Sequence, residues 1–234
     1  MKFLFNIILF FSLIFVCANS VMANNSSKGF EEVYDIEIGK IDIGTLYFKC
    51  FVSDKSYEIS INIEDKGLFS GIYKFKGKYS STGQIKNGLF IPKKYNQFWK
   101  TKKKKSVINI VFENSSISSF TMVPKEKELP RVDIVGLENH LDPITSFVSI
   151  LVGNKRANTV DGRRVYSMNV VNSSVVDEKI YKKIIIDDYK NIWADHKRKN
   201  LKHIEVVQGV GLVGEAPLLI KIKLKALSVV LIKN

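Results

Sequence analysis

Cysteine is nearly absent. The 234 residues hold two, Cys17 and Cys50, and Cys17 lies in a stretch that looks like an export leader. Cys50 alone is left in the body of the chain, so neither an internal disulfide nor a Cys-based zinc site is available to it. Flanked by Lys49 and Phe51 in an alternating segment, it is expected to be a buried, inert thiol. Histidine is scarce too: His140, His196 and His203 complete the set. No H-E-x-x-H occurs, and the odd offset between His196 and His203 would put them on opposite faces of one strand. A metal site is not expected, nor any cofactor. Arginine is also sparse, although the formal net charge is +13. Nearly all of that charge is Lys, which lacks the planar fork that grips bases and phosphates bidentately. The basic balance therefore suggests solvated surface charge, or attraction to an anionic envelope surface, and not nucleic acid.

Long apolar runs are missing except for one. Phe3 to Val16 follows Lys2 and ends in the small-residue exits Ala18-Asn19-Ser20 and Val21-Met22-Ala23. That is the build of a signal peptide, with cleavage expected after Ala23. At roughly 14 residues the run is short for a membrane span of about 20, so an uncleaved anchor is the alternative and not the first reading. Cys17 does not make a lipoprotein signal, because Val16 stands where a small residue is wanted. The expected organisation is a signal peptide at 1–23, a disordered stretch at 24–31, and a single β-rich domain at 32–234. A chain of that length can bury one sizeable core.

What the chain does have is alternation. Val33–Ile38, Thr45–Val52 and Tyr57–Glu64 read as strands, with a turn from Gly39 to Gly44. Tyr79–Ile85 and Leu89–Ile91 flank Asn87-Gly88, a strong hairpin signal. Tyr95–Glu113 reads as one long strand or a kinked pair. Its lysines Lys102 to Lys105 place charge on both faces and so must lie on an exposed edge or protruding hairpin. Ile117–Val123 pairs back, and 124–140 is a charged loop. Val165–Val171, Lys179–Tyr189, Lys202–Val207 and Leu218–Leu231 continue the pattern, the last with Ile220, Ile222 and Leu224 opposed to Lys221, Lys223 and Lys225. Gly67 to Lys76 is ambiguous, and a short helical segment entering a strand is expected there.

One helix interrupts the strands. Asp142 is a suitable cap, Pro143 suits the first helical position, and Ile144, Phe147, Val148 and Leu151 make one apolar face; Gly153 supplies the stop. The predicted fold is mainly β: a strongly curved antiparallel sheet or open barrel, with this short helix, about 143–152, packed on its concave side.

Several motifs tempt. Gly209-Val210-Gly211-Leu212-Val213-Gly214 matches G-x-G-x-x-G, but Pro217 and another alternating strand follow where the dinucleotide chemistry needs a helix. Gly67-Leu68-Phe69-Ser70-Gly71 lacks the hydrolase elbow spacing. Asp142, Asp161, Arg163 and Arg164 could form a carboxylate pair with an anion-holding guanidinium. They also have a plain structural account, with Asp142 as cap, Asp161-Gly162 as turn and one Arg paired with an acidic neighbour. The structural account is preferred.

The order of certain short segments is similar to an exported bacterial family known as domain of unknown function 3108. They are Tyr34-Asp35-Ile36-Glu37-Ile38-Gly39 with Ile43-Gly44-Thr45, then Gly83 to Tyr95, then Leu141-Asp142-Pro143-Ile144-Thr145. Asp161-Gly162-Arg163-Arg164-Val165-Tyr166 follows, and finally Pro217 before the last strand. The resemblance implies an envelope-located β-rich fold with no established activity. Its outline is that of periplasmic lipid carriers, which is analogy only.

The leading expectation is a non-enzymatic periplasmic protein that binds or carries an apolar or lipid-like ligand. A structural or interaction component of the envelope with a filled core is the alternative, and a hydrolase using Asp142 or Asp161 the second. The helix is too short to cover the concave side of such a sheet alone. A cavity is therefore expected between the Phe147 and Leu151 face and the segment carrying Phe69 and Tyr73, with Arg163 or Arg164 at its rim for an anionic head group.

Overall fold

The structure, a computed structural model, describes residues 28–66, 74–193, 201–210 and 215–234. The first 27 residues, Phe69 and Tyr73, His196 and most of the glycine-rich Gly209–Gly214 stretch lie outside those described.

Alternation builds two meanders. The first is β1 (Lys28–Ile38), β2 (Ile41–Val52), β3 (Ser56–Asp65), β4 (Phe75–Lys86), β5 (Leu89–Thr101), β6 (Lys105–Glu113) and β7 (Ser116–Val123). The helix α1 (Pro143–Leu151) follows. The second meander is β8 (Arg156–Val160), β9 (Arg164–Val176), β10 (Lys179–Asn191), β11 (Leu201–Gly209), β12 (Leu219–Leu224) and β13 (Ser228–Lys233). All join one antiparallel sheet in the order 7-6-5-4-3-2-1-13-12-11-10-9-8, the halves meeting where β1 pairs β13, Ile36 opposite Leu231. Several hairpins turn on two residues with positive φ: Gly39-Lys40, Asn87-Gly88, Asn114-Ser115 and Asp177-Glu178. That backbone twist matches the twist of the flanking strands.

The sheet edges are β7 and β8, which flank α1 in sequence. The helix packs against β8 and β9 near one edge and against β4 and β5 toward the other. Only a strongly curled sheet can present both to one helix. The loop between β7 and α1 covers both edges. Ile117 N–H donates to Leu137 O (3.1 Å) and Gly136 N–H to Ile117 O (2.8 Å); Leu141 N–H donates to Asn158 O (2.8 Å) and Val160 N–H to Leu141 O (2.9 Å). Part of each edge is thus paired without closing the barrel. Across the same seam, the Phe120 and Trp193 ring centroids lie 6.4 Å apart.

The strand faces that point inward carry Phe48, Ile59, Tyr95, Ile110 and Ile184, all fully buried. Asp142 caps α1 as the sequence suggests, accepting from Thr145 N–H at 3.0 Å, with Pro143 in the first turn. The helix is buried on more than its apolar stripe. Thr145, Ser146 and Ser149 are as enclosed as Val148 and Ile150, while Phe147 is half-buried. It is a plug inside the curl.

The structure departs from the sequence expectations at several places. The expected disorder does not extend past residue 27: Lys28 onward pairs with β2, and Gly29 fits there because a Cβ would come 2.4 Å from the Cys50 carbonyl oxygen. The turn after β1 is only Gly39-Lys40, and Gly44 sits inside β2, where a Cβ would meet the Glu64 carbonyl oxygen at 2.5 Å. The polar stretch after α1 contains β8, too short and too polar to show alternation. Leu218–Leu231 is a hairpin, β12 and β13, turning at Lys225-Ala226-Leu227, which carries no Gly, Pro or Asn to announce it. Tyr95–Glu113 resolves into β5 and β6 with Lys102, Lys103 and Lys104 at the tip, where Thr101 Oγ1 accepts from Lys104 N–H at 3.1 Å.

Candidate ligand cavity

The N-terminal end of α1 is filled by polar groups that satisfy one another. Asp142 is fully buried. Its Oδ2 accepts from Ser81 Oγ at 2.6 Å and Thr145 Oγ1 at 2.7 Å, and the Tyr57 hydroxyl lies 3.2 Å from Thr145 Oγ1. Beneath them Thr159 Oγ1 donates to Ser146 Oγ at 2.8 Å. Burial holds the Asp142 carboxyl above the usual aspartate range, although the bonds from Ser81 and Thr145 work against it. The same burial, helped by the Asp142 charge, pushes the Tyr57 phenol well up.

The C-terminal end of α1 is not filled by the described residues. Gly153, at φ +123°, turns the chain away, and Lys182 reaches in from β10 to donate to the Ile150 and Leu151 carbonyl oxygens at 3.0 and 2.8 Å. A cation there meets the negative end of the helix dipole. Between this end and the sheet lies a cavity of about 570 Å³, walled by Phe30, Cys50, Val52, Val148, Leu151 and Val170. Burial pushes the Cys50 thiol up to about 12.

Register explains the opening. The pairing of β1 with β13 begins at Tyr34, whereas β1 pairs β2 from Lys28. On the other side β11 pairs β12 only as far as Val207, while β10 accompanies it to Gly209. The two strands joining the meanders stop short. Lys28–Glu32 and Gln208–Gly209 overhang a notch, and Lys28, Gly29, Gln208, Gly209 and Glu215 line the cavity there. A second cavity, about 350 Å³, lies between the start of β5, His140 and β8.

Of the residues singled out from the sequence, Leu151 lines the larger cavity. Phe147 packs against the core and lines neither. Arg163 and Arg164 belong to the β8–β9 turn. Arg163 pairs with Glu126, while Arg164 pairs with Asp161 at 3.1 Å and donates from Nε to the Tyr189 hydroxyl at 2.8 Å. Asp161 Oδ1 accepts from both Arg163 N–H and Arg164 N–H, as a turn residue does. Asp142 and Asp161 are each held in separate structural bonds, one fully buried under the helix and one in the turn. Among the described residues no group of His, Cys, Asp and Glu is placed to hold a metal, and no helix is long and apolar enough to cross a membrane.

Lys182 and Gln208 escaped the sequence reading, yet their parity was available. Ile184 and Ile186 in β10, and Ile204 and Val206 in β11, occupy buried alternate positions, and each polar residue sits at the next position of the same row.

No family model matches the chain, and no curated protein matches it. Among solved structures it is similar to the crystal structure of a beta-barrel-like protein of domain of unknown function DUF1849 from Brucella abortus. The TM-score is 0.51 at 10% identity, over 89% of this chain and 98% of that one. At such identity the likeness is one of fold.

Proposed function

We propose that this protein is an exported, non-catalytic carrier that holds an apolar, lipid-like ligand at the C-terminal end of α1. The observation that carries the reading is the cavity itself. Its volume of about 570 Å³ falls within the roughly 300–1,000 Å³ of small-molecule sites. Its walls are mostly apolar, and water against apolar walls is unfavourable. The apolar run and small-residue exits of residues 1–23 support export and a periplasmic location. Membership of the domain of unknown function 3108 family, and attraction of the exposed lysines to an anionic envelope surface, are parts of the same proposal.

Native mass spectrometry of protein purified without detergent, with organic extraction, is the test. A lipid-sized adduct is expected, as is binding of an environment-sensitive apolar dye that Val170→Trp abolishes by filling the cavity. If no adduct appears and the dye does not bind, the carrier reading falls and an envelope scaffold with a filled core replaces it. The enclosure of α1 on most sides favours that second reading. The intact mass of periplasmic protein is expected to lack residues 1–23. A mass that retains them would replace the soluble protein with an anchored one.

A further inference from the structure

Along residues 180–186 of β10 and 204–208 of β11 the inward row is apolar except at two neighbouring places. Lys182 continues the inward row of Ile184 and Ile186, and Gln208 continues that of Ile204 and Val206 with only 7% of its surface exposed. Register sets Lys182 opposite Val206 and Ile180 opposite Gln208. The two polar side chains are therefore diagonal neighbours on one face, about 7–8 Å apart along the sheet. Both line the cavity.

Neither group is fully used by the protein. An ammonium carries three donors, and Lys182 spends two on the Ile150 and Leu151 carbonyls. It makes no ion pair among the described residues. Gln208 Oε1 is buried with no hydrogen-bond partner, a state that carries a desolvation penalty. Its carboxamide also carries an NH₂ that can donate to an acceptor. Burial pushes the Lys182 ammonium below its ordinary pKa, which an anion bound beside it would reverse. Among the described residues, the charged ones lining the cavity are Lys28, Lys155 and Lys182 against Glu215, a surplus of positive charge.

We infer that the cavity selects a single-chain amphiphile with a carboxylate head, held between the Lys182 ammonium and the Gln208 carboxamide. Its chain lies along the wall of Phe30, Val52, Val148 and Val170. This rests on the carrier reading above, and the experiment keeps the two failures apart.

Dodecanoate and dodecanol share a chain and differ at the head. Each is titrated at neutral pH against the apolar dye bound to the wild-type protein and to Lys182→Met, Lys182→Arg and Gln208→Leu. In the wild type dodecanoate is expected to bind at least about tenfold tighter than dodecanol, the ratio that one charge-assisted hydrogen bond produces. Lys182→Met should bring the two to parity, and Lys182→Arg should keep the preference. Gln208→Leu should weaken dodecanoate and leave dodecanol unharmed. Equal affinities in the wild type, or a preference that survives Lys182→Met, overturn the head-group assignment. The wild-type comparison needs no variant, so it decides the matter even if loss of the helix-end bonds leaves Lys182→Met unfolded. If the dye binds but acid and alcohol compete equally, only the head group is wrong. If dye and both chains fail to bind, the carrier reading itself is lost.

Discussion

Removing the Asp142 carboxyl should cost more than an ordinary helix cap. Asp142→Ala takes the acceptor away from Ser81 Oγ, Thr145 Oγ1 and Thr145 N–H, at 2.6, 2.7 and 3.0 Å. The Thr145 hydroxyl can turn to Ser81 Oγ, 2.9 Å away, so two buried donors lose their partners. At about 1–3 kcal/mol for each buried donor left unpaired, the gross loss is about 2–6 kcal/mol. Relief from burying a carboxylate offsets part of it, and the net expectation is about 2–4 kcal/mol. Asp142→Asn keeps an oxygen for Thr145 N–H, and the two hydroxyls can rotate to accept from its NH₂. It should cost less than about 1 kcal/mol. Urea unfolding followed by Trp99 and Trp193 fluorescence, with unchanged slopes, measures both.

The pH dependence has a definite sign. Burial raises the folded carboxyl above its unfolded value of about 3.9, so the folded chain holds this proton more tightly than the unfolded one. The stability it contributes is complete below the unfolded value and is lost as pH rises through the folded one. Asp142→Asn carries no such group, and should gain on the wild type as pH rises from about 4 toward neutrality. An Asp142→Ala cost below about 1 kcal/mol would refute the buried network in favour of a simple cap. A wild-type-to-Asn difference that is flat in pH would refute the raised carboxyl.

Phe147 is half-buried against the core. Phe147→Ala should therefore cost about 1.5–3 kcal/mol, less than full burial would bring, and a full 3–5 kcal/mol in thermal or urea melts would contradict its placement. Gly162 sits at φ +80° with a would-be Cβ 2.8 Å from the Phe120 ring and 2.9 Å from Ile108. Gly162→Ala should destabilise by about 2–4 kcal/mol, and wild-type melting would show that the two sheet edges do not meet there. Cys50, with its thiol raised to about 12 by burial, should resist iodoacetamide at mildly alkaline pH and react once the chain is unfolded. Rapid labelling of the folded protein would contradict its enclosure.

Features with local causes were legible without a structure. Asp142-Pro143 starts the helix, Asn87-Gly88 and Asp161-Gly162 turn hairpins, and a row such as Ile220, Ile222 and Leu224 opposite three lysines marks a one-faced strand. Capping, turn geometry and a two-residue period act within a few residues of chain, so the sequence by itself determined a mainly β protein with one short helix. What it left open depends on residues far apart. The break between β12 and β13 carries no turn residue and exists because each strand finds a separate partner, β11 on one side and β1 on the other. Thr145, Ser146 and Ser149, off the apolar face of α1, are dry because the sheet curls around the helix, and Ser81, Tyr57 and Thr159 meet the first two. The cavity lies near Leu151 and away from Phe147, Arg163 and Arg164. Register decides where β12 and β13 stop, and Glu126 and Asp161 occupy the two arginines. Lys182 and Gln208 become one polar pair only when β10 and β11 align. No window of sequence contains that alignment, because it comes from hydrogen bonding and burial across the whole sheet.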